Sequence, residues 1–305
     1  MGLTNFPNGI TSFGIPQLGG VGLIPTTSGS YFWVDSNASS GGNGTFDTPY
    51  TTLMGAYGAC TTSKGDVIIM KPGHSETISA NATLTLNKIG VSVIGLGAGD
   101  LRPTFTLTGT TAAVSIAVSG ASQTFRNFVV TSGVVELTKA FTVSAAGVTI
   151  DGVDYRETST DNTILSFVTL TAGADRFTLK NCTLKSITTA AGNASCFASV
   201  VGADDTAIIG NHIEWIGANN AATCAIYNAG AGLRMLIAHN FFKITGGGSV
   251  TIINATTCTG LAAYNSGCGA TTTITGMMQF DAGYSIQNFV TETVDTNGIL
   301  DPIAT

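Results

Sequence analysis

Short runs of alternating apolar and polar residues recur along the chain: VSVIG (91–95), QTFRN (123–127), VTIDG (148–152), FTLKN (177–181), AIIGN (207–211), LIAHN (236–240) and LAAYN (261–265). Each ends in Gly or Asn. With Gly95, Asn127, Gly152, Asn181, Asn211, Asn240 and Asn265 as anchors, the intervals are 32, 25, 29, 30, 29 and 25 residues, and Asn288 follows after 23. Residues four and two before the anchor are mostly apolar: Val91 and Val93, Val148 and Ile150, Phe177 and Leu179, Ala207 and Ile209, Leu236 and Ala238, Leu261 and Ala263. Alternation at period two marks strands with one buried side.

About 13 residues before the anchors lies a second β-rich run, as in AAVSIAV (112–118), ILSFVTL (164–170), CFASVV (196–201), ATCAIY (222–227) and SVTIIN (249–254). Each repeat therefore carries at least two strands joined by Gly, Asn and Ser turns. A period of this size without helices predicts a solenoid whose strands pair in parallel with their counterparts one coil away, about 4.8 Å along the axis. The expected fold class is all-β, a right-handed single-stranded parallel β-helix. Asn127, Asn181, Asn211, Asn240 and Asn265 are read as a structural ladder. Asn tolerates the left-handed backbone of a sharp turn, and its amide can bond the equivalent amide of the next coil.

The flanks break the period. Residues 1–30 hold Phe6, Pro7, Ile10, Phe13, Ile15, Pro16 and Leu18 with no regular spacing, which suggests an extended arm laid on another surface through apolar anchors. Residues 31–88 read as a capping module: a strand from Tyr31 to Val34, a short helix from about Pro49 to Cys60, and a strand from Val67 to Met70 running into the turn KPGH. The coils proper are expected over 89–290, and 291–305 as a terminal cap or extended tail.

Composition narrows the function classes. Charged residues make up only 10% of the 305, the net charge is −6, and the 12 Lys and Arg form no run, which argues against nucleic acid as a partner. The first residues lack a signal-peptide pattern and no long apolar run follows, so neither secretion by that route nor a membrane is expected. Without a signal-peptide pattern the compartment of synthesis is expected to be reducing, and the six cysteines to be free buried thiols.

Candidate chemistry is sparse. GLGAGD (95–100) has no helix after it, and His74, His212 and His239 have no zinc-ligand spacing, so no cofactor or metal is expected. Glycoside cleavage needs paired carboxylates on one face. The candidates are Asp151, Asp154, Glu157 and Asp161, with Asp204, Asp205 and Glu214 further on. The repeat register instead places Asp151 between Arg126 and Lys180, and Glu214 beside Lys243. These are cross-coil ion pairs and not the raised-pKa environment of an acid catalyst. Trp33 and Trp215 are the only tryptophans, and no exposed aromatic column for sugar stacking is expected.

The leader MGLTNFPNGITSFGIPQLGG resembles the starts of tailed-bacteriophage virion proteins, and FWVDSNASSGGNGTFDTPYTTL…DVIIMKPGHSETI resembles the first module of phage β-helix proteins. The resemblance implies a capsid cement, or decoration, protein on the capsid exterior of the virion. Such a chain is non-enzymatic, forms a homotrimer and bridges the major capsid protein through the residue 1–30 arm. The alternative is a phage tailspike or fibre module that binds or cleaves host polysaccharide.

Overall fold

The computed structural model describes residues 10–12, 15–17, 27–79, 84–109, 114–157, 164–171, 173–186, 196–199, 202–216, 225–228, 230–245, 252–255, 257–269, 278–279, 283–292 and 299–301. Each coil visits three strands. In one of them the chain runs Thr149–Asp151, turns through Gly152 and Val153, continues as Asp154–Arg156, and reaches Val168–Leu170 before returning at Thr178–Lys180. The first and second sheets so formed have ten strands each and the third has eight. Neighbouring strands come from successive coils and run parallel: Phe125 pairs with Ile150 and Ile150 with Leu179, while Tyr155 pairs with Leu184 and Val143 with Leu170. The chain is thus a parallel β-helix, right-handed like nearly all parallel crossovers, with one strand more per coil than the sequence pattern required.

Inward side chains pack along the axis, with aromatic rings meeting across positions that are offset from the strand register. Phe105 meets Phe128 at 5.4 Å between ring centroids, Phe141 meets Phe167 at 5.5 Å, and Tyr155 lies 6.1 Å from Phe167 and 6.3 Å from Trp215. All six are buried. Each such ring contributes about 2–3 kcal/mol through burial, so the aromatic column is a major source of stability.

The capping module matches its expected outline, with strands at Tyr31–Val34 and Val67–Met70 and one helix, α1, at Leu53–Ala59. Thr52 caps α1 by accepting from the Gly55 N–H, and the Glu76 carboxylate accepts from the Leu53 N–H at 2.8 Å. At the other end the Lys88 ammonium donates to the carbonyls of Tyr57, Gly58 and Cys60. Opposite charges therefore face the two ends of the helix dipole, while Leu53, Ala56 and Tyr57 are buried against the first coil. At the far end Ile299–Asp301 pairs antiparallel with Asn288–Val290 and closes the last edge of the second sheet. In the leader, Ile10–Ser12 and Ile15–Gln17 pair as a short antiparallel ladder, a regular element that the spacing did not predict. Phe6, Pro7, Phe13 and Leu18 lie outside the described residues.

The turn between the first and second sheets corrects the anchor assignment. Two successive positions have different jobs. The first takes the left-handed conformation and is occupied by Asn127 (φ 57°), Gly152 (63°), Asn181 (54°), Gly210 (65°), His239 (56°), Tyr264 (55°) and Gln287 (49°). The second points inward and is occupied by Phe128, Val153, Cys182, Asn211, Asn240, Asn265 and Asn288. Asn127 and Asn181 therefore belong to the left-handed position and not to the ladder. Asn127 donates to the Gly95 and Gly97 carbonyls, and Asn181 to the Asp151 carboxylate.

The ladder itself is Asn211–Asn240–Asn265–Asn288. The Asn240 amide donates to the Ile208 carbonyl at 2.8 Å and to Asn265 Oδ1 at 2.9 Å. Its own Oδ1 accepts from both the backbone N–H and the amide of Asn211. Asn265 repeats the pattern toward Asn288. Every polar atom of these buried side chains that lies in the middle of the ladder is satisfied, which is the condition for a buried amide to stabilise.

Two outcomes follow. Asn240→Gly orphans several buried donors and acceptors and should cost about 3 kcal/mol in chemical denaturation, whereas Asn127→Gly, at a position glycine tolerates, should cost about 1 kcal/mol; equal losses would contradict the division of roles. Burial raises the Cys60 and Cys182 thiols to about 12 and raises that of Cys258 as well. Thiol titration of the native protein at neutral pH should leave these three unreacted until the chain unfolds.

Candidate functional site

A one-residue shift between the anchors of the early and late coils turns every side chain of the affected strands over. In the late coils the inward residues of the first sheet are Ile208, Ile237 and Ala262, each paired with its neighbour. Of the residues read from sequence as the buried side, Ala207, Ile209, Leu236 and Leu261 lie on the outward face and are only partly buried, whereas Ala238 and Ala263, on the same face, are buried. That face is continued by Tyr284 and Ile286, which are exposed.

The second sheet adjoins it across the turn. Its strands His212–Ile216 and Phe241–Thr245 are in register, with His212 opposite Phe241 and Glu214 opposite Lys243. Ile213, Trp215, Phe242 and Ile244 are fully buried, so the intervening His212, Glu214, Phe241 and Lys243 project from the flank. Ser266 and Phe289 continue the column that contains Phe241. Phe241, Tyr264 and Phe289 are about half exposed. Tyr264 stacks on His239 at 5.1 Å, and His212 meets the Phe241 ring at 4.8 Å. Between Tyr264, Ser266, Gln287 and Phe289 lies an open hollow of about 310 Å³, made where the small Ser266 separates larger neighbours. An exposed aromatic cluster therefore exists where the sequence reading expected none. It was hidden because two of its members come from the turn and the column above it, and neither shows in a count of tryptophans.

The ion pairs lie along the same flank. Asp151 Oδ2 sits 3.5 Å from Arg126 and 3.6 Å from Lys180, as the spacing indicated. Glu214 differs. Its short contact is with Lys185 at 3.0 Å, and His212 Nε2 is 3.3 Å away, whereas Lys243 adds charge from the next coil. Lys185 was missed because counting Glu214 from Asn211 rather than from Gly210 misaligns the two; the strand register pairs them. Asp154 is held by Arg102 and by Arg156, which also reaches Asp100 at 2.8 Å.

The remaining carboxylate candidates do not converge. Glu157 is buried inside the coil and accepts from the Tyr155 hydroxyl and the Ile164 N–H. Asp205 binds Arg234 at 2.6 Å, with Asp204 at 3.7 Å from the same guanidinium. Asp161 lies outside the described residues. Among the described residues no cluster of His, Cys, Asp and Glu is placed to hold a metal ion. The flank does offer one arrangement suited to proton transfer: His212, with one ring nitrogen held toward Glu214.

No family model matches the chain, and no curated protein is similar to it in sequence. Two solved structures share its fold. A rhamnogalacturonan lyase superposes with a TM-score of 0.57 at 16% identity, over 86% of this chain and 74% of that one. The pectate lyase Pel9A gives 0.50 at 16% identity, over 88% and 78%. Both are enzymes, and this corrects the expectation that the chain is non-enzymatic. That expectation rested on the paired carboxylates, on the scarcity of exposed aromatics and on the resemblance of the leader and first module to phage capsid proteins. At this identity the likeness shows the fold.

The Lys185 ammonium, and then His212, hold the Glu214 carboxyl below its usual range, and Lys243 adds to this from the next coil. A lowered folded-state pKa stabilises the fold above the ordinary glutamate range and loses that contribution as pH falls through the folded value. Glu214→Gln should therefore cost a few tenths of a kcal/mol at neutral pH, with the difference from the unsubstituted chain vanishing in acid. A gap that persists in acid would show that Glu214 acts by packing and not by charge.

Proposed function

We propose that this chain is a polysaccharide-recognising β-helix, of the tailspike or fibre kind, that engages a glycan along the flank where the first and second sheets meet. The observation that carries the reading is the exposed pair Tyr264 and Phe289 lining an open hollow, with the exposed Phe241 on the next strand opposite Ser266, next to projecting polar groups. Aromatic faces present an electron-rich surface to the C–H groups of sugar rings, and neighbouring polar side chains supply the hydrogen bonds that orient them. The fold supports the same reading, because the two similar structures are both lyases named for polysaccharide substrates.

Size separates this from an interface between subunits. The accessible apolar side chains of the first sheet in the late coils, Ala207, Ile209, Leu236, Leu261, Tyr284 and Ile286, cover an area on the order of a few hundred Å², whereas a stable protein interface needs about 800 Å² from each partner. The patch is too small to hold a second copy by itself and adequate for a few sugar rings. The major capsid protein and the homotrimer belong to the resemblance of the leader and the first module, and nothing else supports them.

The test is affinity electrophoresis and calorimetry against a panel of bacterial surface and plant-type polysaccharides. Phe241→Ala and Tyr264→Ala should each weaken binding about tenfold, since each removes roughly 1–2 kcal/mol of contact, while circular dichroism stays that of the folded β-helix. Product analysis in the same samples determines whether the bound chain is also cleaved. If no polysaccharide in the panel binds, or if the two substitutions leave binding untouched, the proposal fails.

A further inference from the structure

We infer that the glycan bound on this flank is an acidic polysaccharide, its carboxylates met by Lys243 and Lys185; this inference rests on the polysaccharide reading above. The observation is an uneven distribution of charge. Arg102, Arg126, Arg156, Lys180, Lys185 and Lys243 place six of the chain's 12 Lys and Arg on or beside the two adjoining faces, against Asp100, Asp151, Asp154 and Glu214, four of its 18 Asp and Glu. Six minus four leaves the flank at +2 in a chain of net charge −6. A neutral glycan needs no such bias, and a polyanion does.

The register sharpens the match. Lys185, Glu214 and Lys243 occupy one outward column on three successive coils, so the two ammonium groups are anchored about 10 Å apart along the axis. In a sugar chain with a two-fold twist, successive rings present their carboxylates on opposite sides, and those on one side recur at every second ring. Two coils of the β-helix correspond to two rings of such a chain, so successive same-side carboxylates can meet Lys185 and Lys243. Lys243 is exposed and, among the described residues, has no carboxylate within ion-pair distance. It projects from the same strand as Phe241, two residues away, so one glycan can stack on the ring while its charge meets the ammonium. Glu214 lies between the two lysines and sets a limit on affinity, because its own charge repels the ligand while it occupies Lys185.

The experiment compares polygalacturonate with its fully methyl-esterified form on the full chain, at low and high salt. The acidic polymer should bind about tenfold more tightly at low salt and lose most of that advantage at high salt, as exposed charge pairs do. Lys243→Gln should lower affinity for the acid about three- to fivefold and leave the ester unaffected, and Glu214→Gln should raise affinity for the acid. Equal binding of acid and ester, or the same loss of both in Lys243→Gln, overturns the acidic assignment while leaving the glycan reading intact. Binding of neither polymer, with a neutral glycan from the wider panel bound instead, also overturns it. If nothing binds at all, the polysaccharide reading falls and this inference falls with it.

Discussion

The turn between the first and second sheets is the constraint on which the rest of this molecule depends. From Asn127 onward two adjacent residues bend the chain from the first sheet into the second in each coil, one in the left-handed conformation and the next directed into the interior. In the late coils the inward position is asparagine, and its amide joins each coil to its neighbours through four hydrogen bonds in the middle of the ladder. Because those bonds connect successive coils at a single point, they tie the register of the first and second sheets together across the late coils. A slip of one residue would break the ladder and reverse every side chain beyond it.

That register is also what builds the flank. The second sheet buries Ile213, Trp215, Phe242 and Ile244, and the residues between them are necessarily displayed outward. Parallel pairing then brings chemically unlike residues from distant points in the chain into columns: Lys185, Glu214 and Lys243 in one, His212 and Phe241 in another. None of these groups is close in sequence to its partner in the neighbouring coil. The solenoid functions as a device for turning a 29-residue interval into a separation of about 4.8 Å.

The two lyases of similar fold share the parallel β-helix architecture of this chain. A long and straight flank suits an extended ligand, since each coil offers the same geometry at a fixed rise and a polymer can make repeated contacts. Of the carboxylates first considered for catalysis, Asp151, Asp154, Asp204, Asp205 and Glu214 are instead paired with arginine or lysine. The groups left exposed and available are aromatic, basic and imidazole.

The sequence by itself determined the fold class, the coil interval, the capping module and the ion pairs of Asp151. Each of these depends on local alternation, turn chemistry or near-constant spacing, which are properties of the chain written along one dimension. The leader's short antiparallel ladder and the third strand of each coil were less legible, because brief β segments carry little periodicity. Which asparagines form the ladder was not legible, since Asn fits both the left-handed position and the inward one; only the hydrogen bonds between coils tell Asn181 from Asn211. The outward face of the late coils was decided by tertiary structure alone. Its apolar strands alternate equally well in either register, and a strand whose two sides are both apolar contains no signal of which one is buried.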